Sequence, residues 1–173
     1  MLEVARVKEH RSRVDCAGQA KQESKVISSG CVVKFKSTRF GELAVEEDKI
    51  IIFPNGILGF PDVKRFIVLD YEGEVPFKWL QSVDDPALAF LIADPHTVKP
   101  DYQLSLKVAD LADLGDGYDS DMAVLTILTI PHGDPKGMTA NLRGPLVVNS
   151  GTMKGKQIVL QDDQYSIKHP IFS

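Results

Sequence analysis

The feature that most limits the fold is an alternation of apolar and polar residues in short runs, each stopped by glycine, proline or charge. Val33 and Phe35 alternate with Lys34 and Lys36, and Leu43 and Val45 alternate with Glu42, Ala44 and Glu46. Successive side chains on an extended chain point to opposite faces, so a period of two marks a strand with one buried face. Residues 50–53 and 66–69 are short β-branched and aromatic runs, and Pro54-Asn55-Gly56 between them supplies a turn. Residues 87–93 fit a strand buried on both faces, and Tyr102, Leu104 and Leu106 alternate with Gln103, Ser105 and Lys107. The β-branched run 124–130 stops at Pro131, and residues 138–148 and 156–160 complete the strands.

Helical spacing is confined to Val108, Leu111 and Leu114 before Gly115, which predicts about two turns with a glycine stop. Many short strands with frequent turns predict an all-β, mainly antiparallel fold: a small β-barrel-like or sandwich domain with one or two short helices. Closing or stacking the sheets protects strand edges that would otherwise pair with other chains.

The chain of 173 residues fits one domain. A shift in composition near residue 30 divides it into an N-terminal extension, 1–30, and a β domain, 31–173. The extension has six basic and four acidic residues, a net charge of +2; against totals of 20 and 24, the remainder has 14 and 20, a net charge of -6. An acidic body argues against direct nucleic-acid binding, which needs a concentrated basic face, and favours a basic protein partner. The longest apolar run, 87–93, is far short of the roughly 20 residues of a membrane-spanning helix, and charges fill the N-terminus where a secretory signal would be apolar. A soluble, cytoplasmic protein is expected.

No motif supplies catalysis, a cofactor or a metal site. The four histidines are far apart, and Cys16 and Cys31 lack metal or redox spacing, so both read as free thiols. Gly151-Thr-Met-Lys-Gly155-Lys156 is one residue too short between its glycines for a phosphate loop and reads as a hairpin turn.

Asp84-Asp85-Pro86 has three readings. The adjacent carboxylates could split their pKa values as an acid and base in a barrel mouth, giving a small-molecule-binding or hydrolytic domain. They could form a solvated turn before Pro86. With Glu46, Glu47 and Asp48 they could form an acidic surface for a basic protein. The loop 55–61 is more apolar than a solvated loop, so Ile57, Leu58 and Phe60 either plug one end of the β structure or anchor a partner. Trp79, the single tryptophan, reads as core or anchor.

Several blocks, in this order and spacing, carry a resemblance to a known family. They are Phe40-Gly41-Glu42, Phe53-Pro-Asn-Gly-Ile-Leu-Gly-Phe60, Trp79-Leu-Gln-Ser-Val-Asp-Asp85, Thr139-Ala-Asn141, Gly155-Lys-Gln-Ile-Val-Leu160 and Tyr165-Ser166-Ile167. From about Val33 to Phe172 the chain resembles FliW, a family of bacterial flagellar assembly factors. The resemblance implies a small β-barrel-like fold without enzymatic activity. It also implies two protein partners: CsrA, a basic dimeric RNA-binding translational regulator that FliW antagonises, and flagellin. It maps no catalytic signature, and the extension 1–30 has no counterpart in the usual family pattern. The expected partner-binding residues, Glu46, Glu47, Asp48, Phe60, Asp84 and Asp85, come from local chemistry.

Overall fold

The computed structural model describes residues 31–71, 73, 75–115, 121–161 and 163–172. The extension 1–30 and Cys16 lie outside the described residues.

The strands are β1 (Val32–Ser37), β2 (Gly41–Glu46), β3 (Ile51–Ile52), β4 (Arg65–Asp70), β5 (Phe77–Ser82), β6 (Ala89–Ala93), β7 (Met122–Thr129), β8 (Thr139–Ala140), β9 (Leu146–Asn149), β10 (Lys154–Gln157) and β11 (His169–Pro170). The sheet runs β7-β6-β5-β4-β3-β10-β9, and β9 pairs back onto β7 through Met122↔Asn149 to Leu125↔Leu146, closing a seven-stranded barrel. Closure selects the barrel over the sandwich. The far end of β7 carries β8 and β11 as a short extension. All pairings are antiparallel except β3 with β10.

Strand parity decides what fills the barrel. Phe66 and Val68 of β4, Leu80 of β5, Ile92 of β6, Leu125 of β7, and Leu146 and Val148 of β9 pack with Ile51, Phe53 and Ile57 in one buried cluster. The alternate residues point outward and are covered in turn. Ile67 and Leu69 lie under the β1–β2 hairpin, packed with Leu43, Val45, Ile50 and Val83. Leu91, Ala93 and Leu128 lie under Tyr102, Met138, Leu142 and Tyr165. Residues 66–69 are therefore buried on both faces, which explains an uninterrupted apolar run in an antiparallel sheet.

Besides the run 156–160, of which only 156–157 lie in a strand, three segments differ from the sequence expectation. Residues 102–107 keep the predicted alternation of burial but form no strand. The Tyr165 hydroxyl accepts from the Gln103 N–H and donates to its carbonyl, both at 2.9 Å, so a side chain satisfies backbone groups that a ladder would otherwise pair. Residues 138–148 are split by a turn in which the Asn141 side chain accepts the Gly144 N–H at 2.9 Å. Strand β5, which the period-two reading does not pick out, runs through the middle of the wall. Its Gln81 and Ser82 are polar yet fully buried, so hydrophobic patterning does not reveal it.

The helical spacing is borne out. Val108–Leu111 forms a short helix, α2, continued by a 3-10 turn to Leu114 and stopped at Gly115 with φ +85°. A four-residue helix α1, Pro95–Val98, precedes it, capped by Asp94, whose side chain accepts the His96 N–H at 2.8 Å. Residues 150–153 turn β9 antiparallel into β10, as the hairpin reading of that segment requires.

Candidate partner-binding surface

Glu46 ends β2, and Glu47 and Asp48 open the 3-10 turn Glu47–Lys49. The turn is pinned from both sides: the Glu47 N–H donates to the Cys31 carbonyl at 2.9 Å, and the Ile50 N–H donates to the Glu47 carbonyl. Ile50 then buries itself beneath the hairpin. All three carboxylates are exposed, and among the described residues none forms an ion pair or side-chain hydrogen bond. Three uncompensated negative charges thus stand on an anchored turn, where their field reaches solvent at little conformational cost.

Asp84 and Asp85 sit in the turn between β5 and β6, and each carboxylate is held by the turn itself. Asp84 accepts from Arg65 Nε at 2.7 Å and Arg65 Nη2 at 2.6 Å, and its other oxygen accepts the N–H groups of Arg65 and Lys64 at 3.0 and 3.3 Å. Partial burial pushes the carboxyl up. The Arg65 side-chain and backbone hydrogen bonds, the Arg65 charge and the Lys64 N–H together outweigh it, leaving Asp84 below its ordinary 3.8. Asp85 accepts the Ala87 N–H at 2.9 Å, and the Ser82 hydroxyl receives both aspartate N–H groups. A carboxylate held ionised by four donors cannot act as the raised-pKa acid of a dyad. The interior that a hydrolytic or ligand-binding barrel would need is filled, with Phe53 lying over Gly155. Of the three readings of this pair, the geometry favours the turn.

Among the described residues no hydrogen bond or ion pair joins the Asp84-Asp85 turn to Glu46, Glu47 and Asp48. Of the five acids, only those at the β2 end are left without a side-chain partner among the described residues.

The apolar loop divides between its two readings. Ile57 is buried and plugs the barrel core. Leu58 and Phe60 stay outside at 66% and 37% exposure, with Phe60 edge-on to Phe90 at 5.5 Å. The tip is held in place: the Leu58 N–H donates to Gln157 at 2.9 Å, and Gly56, with φ +67°, leaves no room for a Cβ beside the Phe60 carbonyl.

Sequence reading missed a second cluster. Trp79 is half-buried in the outer wall, packed against two of the core clusters, and its ring meets three partners from separate segments. The Arg39 guanidinium lies 4.3 Å over it, Tyr71 stacks on it at 5.9 Å, and Phe40 meets it edge-on at 6.0 Å. Only pairing of β4 with β5 and docking of the hairpin turn bring these residues together, so local patterning carries no signal for them.

Among the described residues no group of His, Cys, Asp and Glu is placed to hold a metal ion, and no helix is long and apolar enough to cross a membrane. Cys31 is an exposed free thiol.

Comparison with known proteins identifies the family. The family model described as FliW protein matches residues 34–171. The flagellar assembly factor FliW of Natranaerobius thermophilus is 43% identical over 141 residues, covering 82% of this chain and 93% of that protein. The FliW of Geobacter sulfurreducens is 43% identical over 136 residues, covering 79% and 84%. A crystal structure of the flagellar assembly factor FliW superposes with a TM-score of 0.75 at 35% identity, covering 82% of this chain and 98% of that one. Sequence, barrel and coverage agree, and the chain belongs to the FliW family.

Proposed function

We propose that this chain is a cytoplasmic flagellar assembly factor that works by binding proteins and not by catalysis, with CsrA and flagellin as its partners. Bound to CsrA, it relieves repression of flagellin mRNA. Unsecreted flagellin competes for it, releases CsrA and slows further flagellin synthesis, so that synthesis follows export. Support for the assembly role comes from family membership and from relatives that are themselves flagellar assembly factors.

The observation that carries the protein-binding reading is the set of uncompensated carboxylates at Glu46, Glu47 and Asp48 on an anchored turn of a filled barrel. They suit a basic partner such as CsrA, because complementary charge sets on-rate and partner choice. Phe60 beside Leu58 offers an apolar anchor of the kind that centres interfaces. Asp84 and Asp85 belong to a turn that meets Thr38 at the opposite end of the hairpin, and they enter the proposal as a separate pair held by its own turn.

The test is calorimetric titration of CsrA into the wild type and into a Glu46→Lys, Glu47→Lys, Asp48→Lys variant. Among the described residues these side chains make no ion pair, so the fold persists and the urea midpoint stays put. CsrA affinity falls at least tenfold, about 1.4 kcal/mol. Equal affinity in the folded variant removes these residues from the interface.

A further inference from the structure

We infer that the groove beside Arg39 is a second docking site, one that takes an acidic segment of a partner protein with a glutamate or aspartate carboxylate seated on the Arg39 guanidinium. The groove, of about 290 Å³, is lined by Thr38 and Arg39 from the β1–β2 turn, by Pro86, Ala87 and Ala89 from the opposite turn and strand, and by Gln81 beneath. It lies at the other end of β2 from Glu46, across a six-residue strand of about 17–20 Å.

Three observations support it. Arg39 has an unused charge: of the three arginines in residues 31–173, Arg65 pairs with Asp84 and Arg143 with Asp163, while Arg39 has no carboxylate partner among the described residues. On an acidic body, an arginine with no carboxylate partner among the described residues and its guanidinium carbon held 4.3 Å over the Trp79 ring is preset for an anion. Stacking leaves the edges of the planar guanidinium, with their fork of N–H donors, able to receive a carboxylate in bidentate fashion.

The groove is also rigid. Gln81 is fully buried, accepts the Ser37 hydroxyl at 2.8 Å, and donates to the carbonyls of Ser82 and Leu88 at 2.8 and 3.1 Å. Across it the Thr38 N–H donates to the Pro86 carbonyl at 2.8 Å. Both walls are thus tied together, and little ordering remains to be done on binding. Finally, the surroundings suit a polypeptide. Trp79, Tyr71 and Arg39 are the residue types that dominate binding energy at protein interfaces, and Ala87 and Ala89 leave room for an apolar side chain beside the carboxylate.

Trp79 is the single tryptophan of the chain, so its emission reports directly on Arg39. The probe is a doubly capped peptide, Gly-Leu-Glu-Ala-Gly, titrated to millimolar concentration beside its glutamine counterpart. A saturable change of Trp79 emission with the glutamate peptide is expected, at least tenfold weaker with the glutamine peptide. Arg39→Gln, which removes an exposed side chain that makes no hydrogen bond among the described residues, reduces the glutamate affinity at least tenfold; Ala87→Phe, which fills the groove and keeps the charge, does the same. Urea midpoints confirm that both variants fold. The inference is overturned if the two peptides bind alike, if neither binds, or if both folded variants bind as the wild type does.

Discussion

Replacing Gly155 by alanine tests whether the barrel interior is filled, as a binding protein permits, or slack enough to hold a ligand. A Cβ at this position would lie 2.4, 2.6 and 2.8 Å from three carbons of the Phe53 ring, the first about 1 Å inside the 3.4 Å at which ordinary contact begins. The ring has nowhere to go: Phe53 is fully buried and stands edge-on to Phe66 at 5.4 Å. Overpacking of this kind costs about 1–3 kcal/mol. Restricting the unfolded chain returns about 0.4–1 kcal/mol. Mid-range values leave a net loss of about 1.3 kcal/mol, which at a urea m-value of about 2 kcal/mol/M lowers the midpoint by about 0.7 M. Phe53→Leu in the same background relieves the clash, so the double-mutant cycle shows a favourable coupling of about 1 kcal/mol or more. Unchanged stability in Gly155→Ala, or strict additivity with Phe53→Leu, would refute the packed interior.

Asp84→Asn removes an exposed ion pair and costs at most about 1 kcal/mol at neutral pH. Because Asp84 titrates below its ordinary 3.8 when folded, its contribution is present above that pH and vanishes as pH falls through the lowered value; paired acid unfolding curves that stay separated at low pH would contradict this. Tyr102→Phe loses the hydroxyl that donates to the Leu142 carbonyl at 3.0 Å, worth about 1 kcal/mol. Burial, with the neighbouring Tyr165 adding to it, pushes Tyr102 up to about 12, so the folded state resists its ionisation while the unfolded chain ionises near 10. Wild-type stability therefore declines towards that of Tyr102→Phe as pH rises from 10 to about 12, and urea titrations in that interval with a constant gap would show that the hydroxyl is not buried as described.

Strands whose one face is buried announced themselves in the sequence, as β1 and β2 show with their alternating lysines and glutamates. The run at 66–69 and, within 87–93, the stretch 89–93 that forms β6 were readable as buried strands, because a wall covered on both sides has no polar face to interrupt it, whereas Ala87 and Leu88 belong to the turn before β6. Gln81 and Ser82 hid β5, since partners that satisfy a buried amide, here Ser37 and the Leu88 carbonyl, lie in other segments. Barrel closure rests on β7 pairing with β9, a contact between segments over twenty residues apart, and nothing local specifies it. At the site, the acids at 46–48 stood out as a charge run. Asp84 looked equally free, and only the folded chain brings Arg65 against it. Trp79 stood out as the single tryptophan, but Arg39 and Tyr71 did not, and the three come together only when the hairpin lies across the wall.

The reading as a partner-switching protein is tested most directly by titrating the purified protein with CsrA and, separately, with flagellin from the same organism, with flagellin mRNA alone as control. Saturable binding to each protein, displacement of CsrA by flagellin, and no heat with RNA are predicted. Silence with both proteins, or RNA binding that weakens steeply with salt, would contradict it.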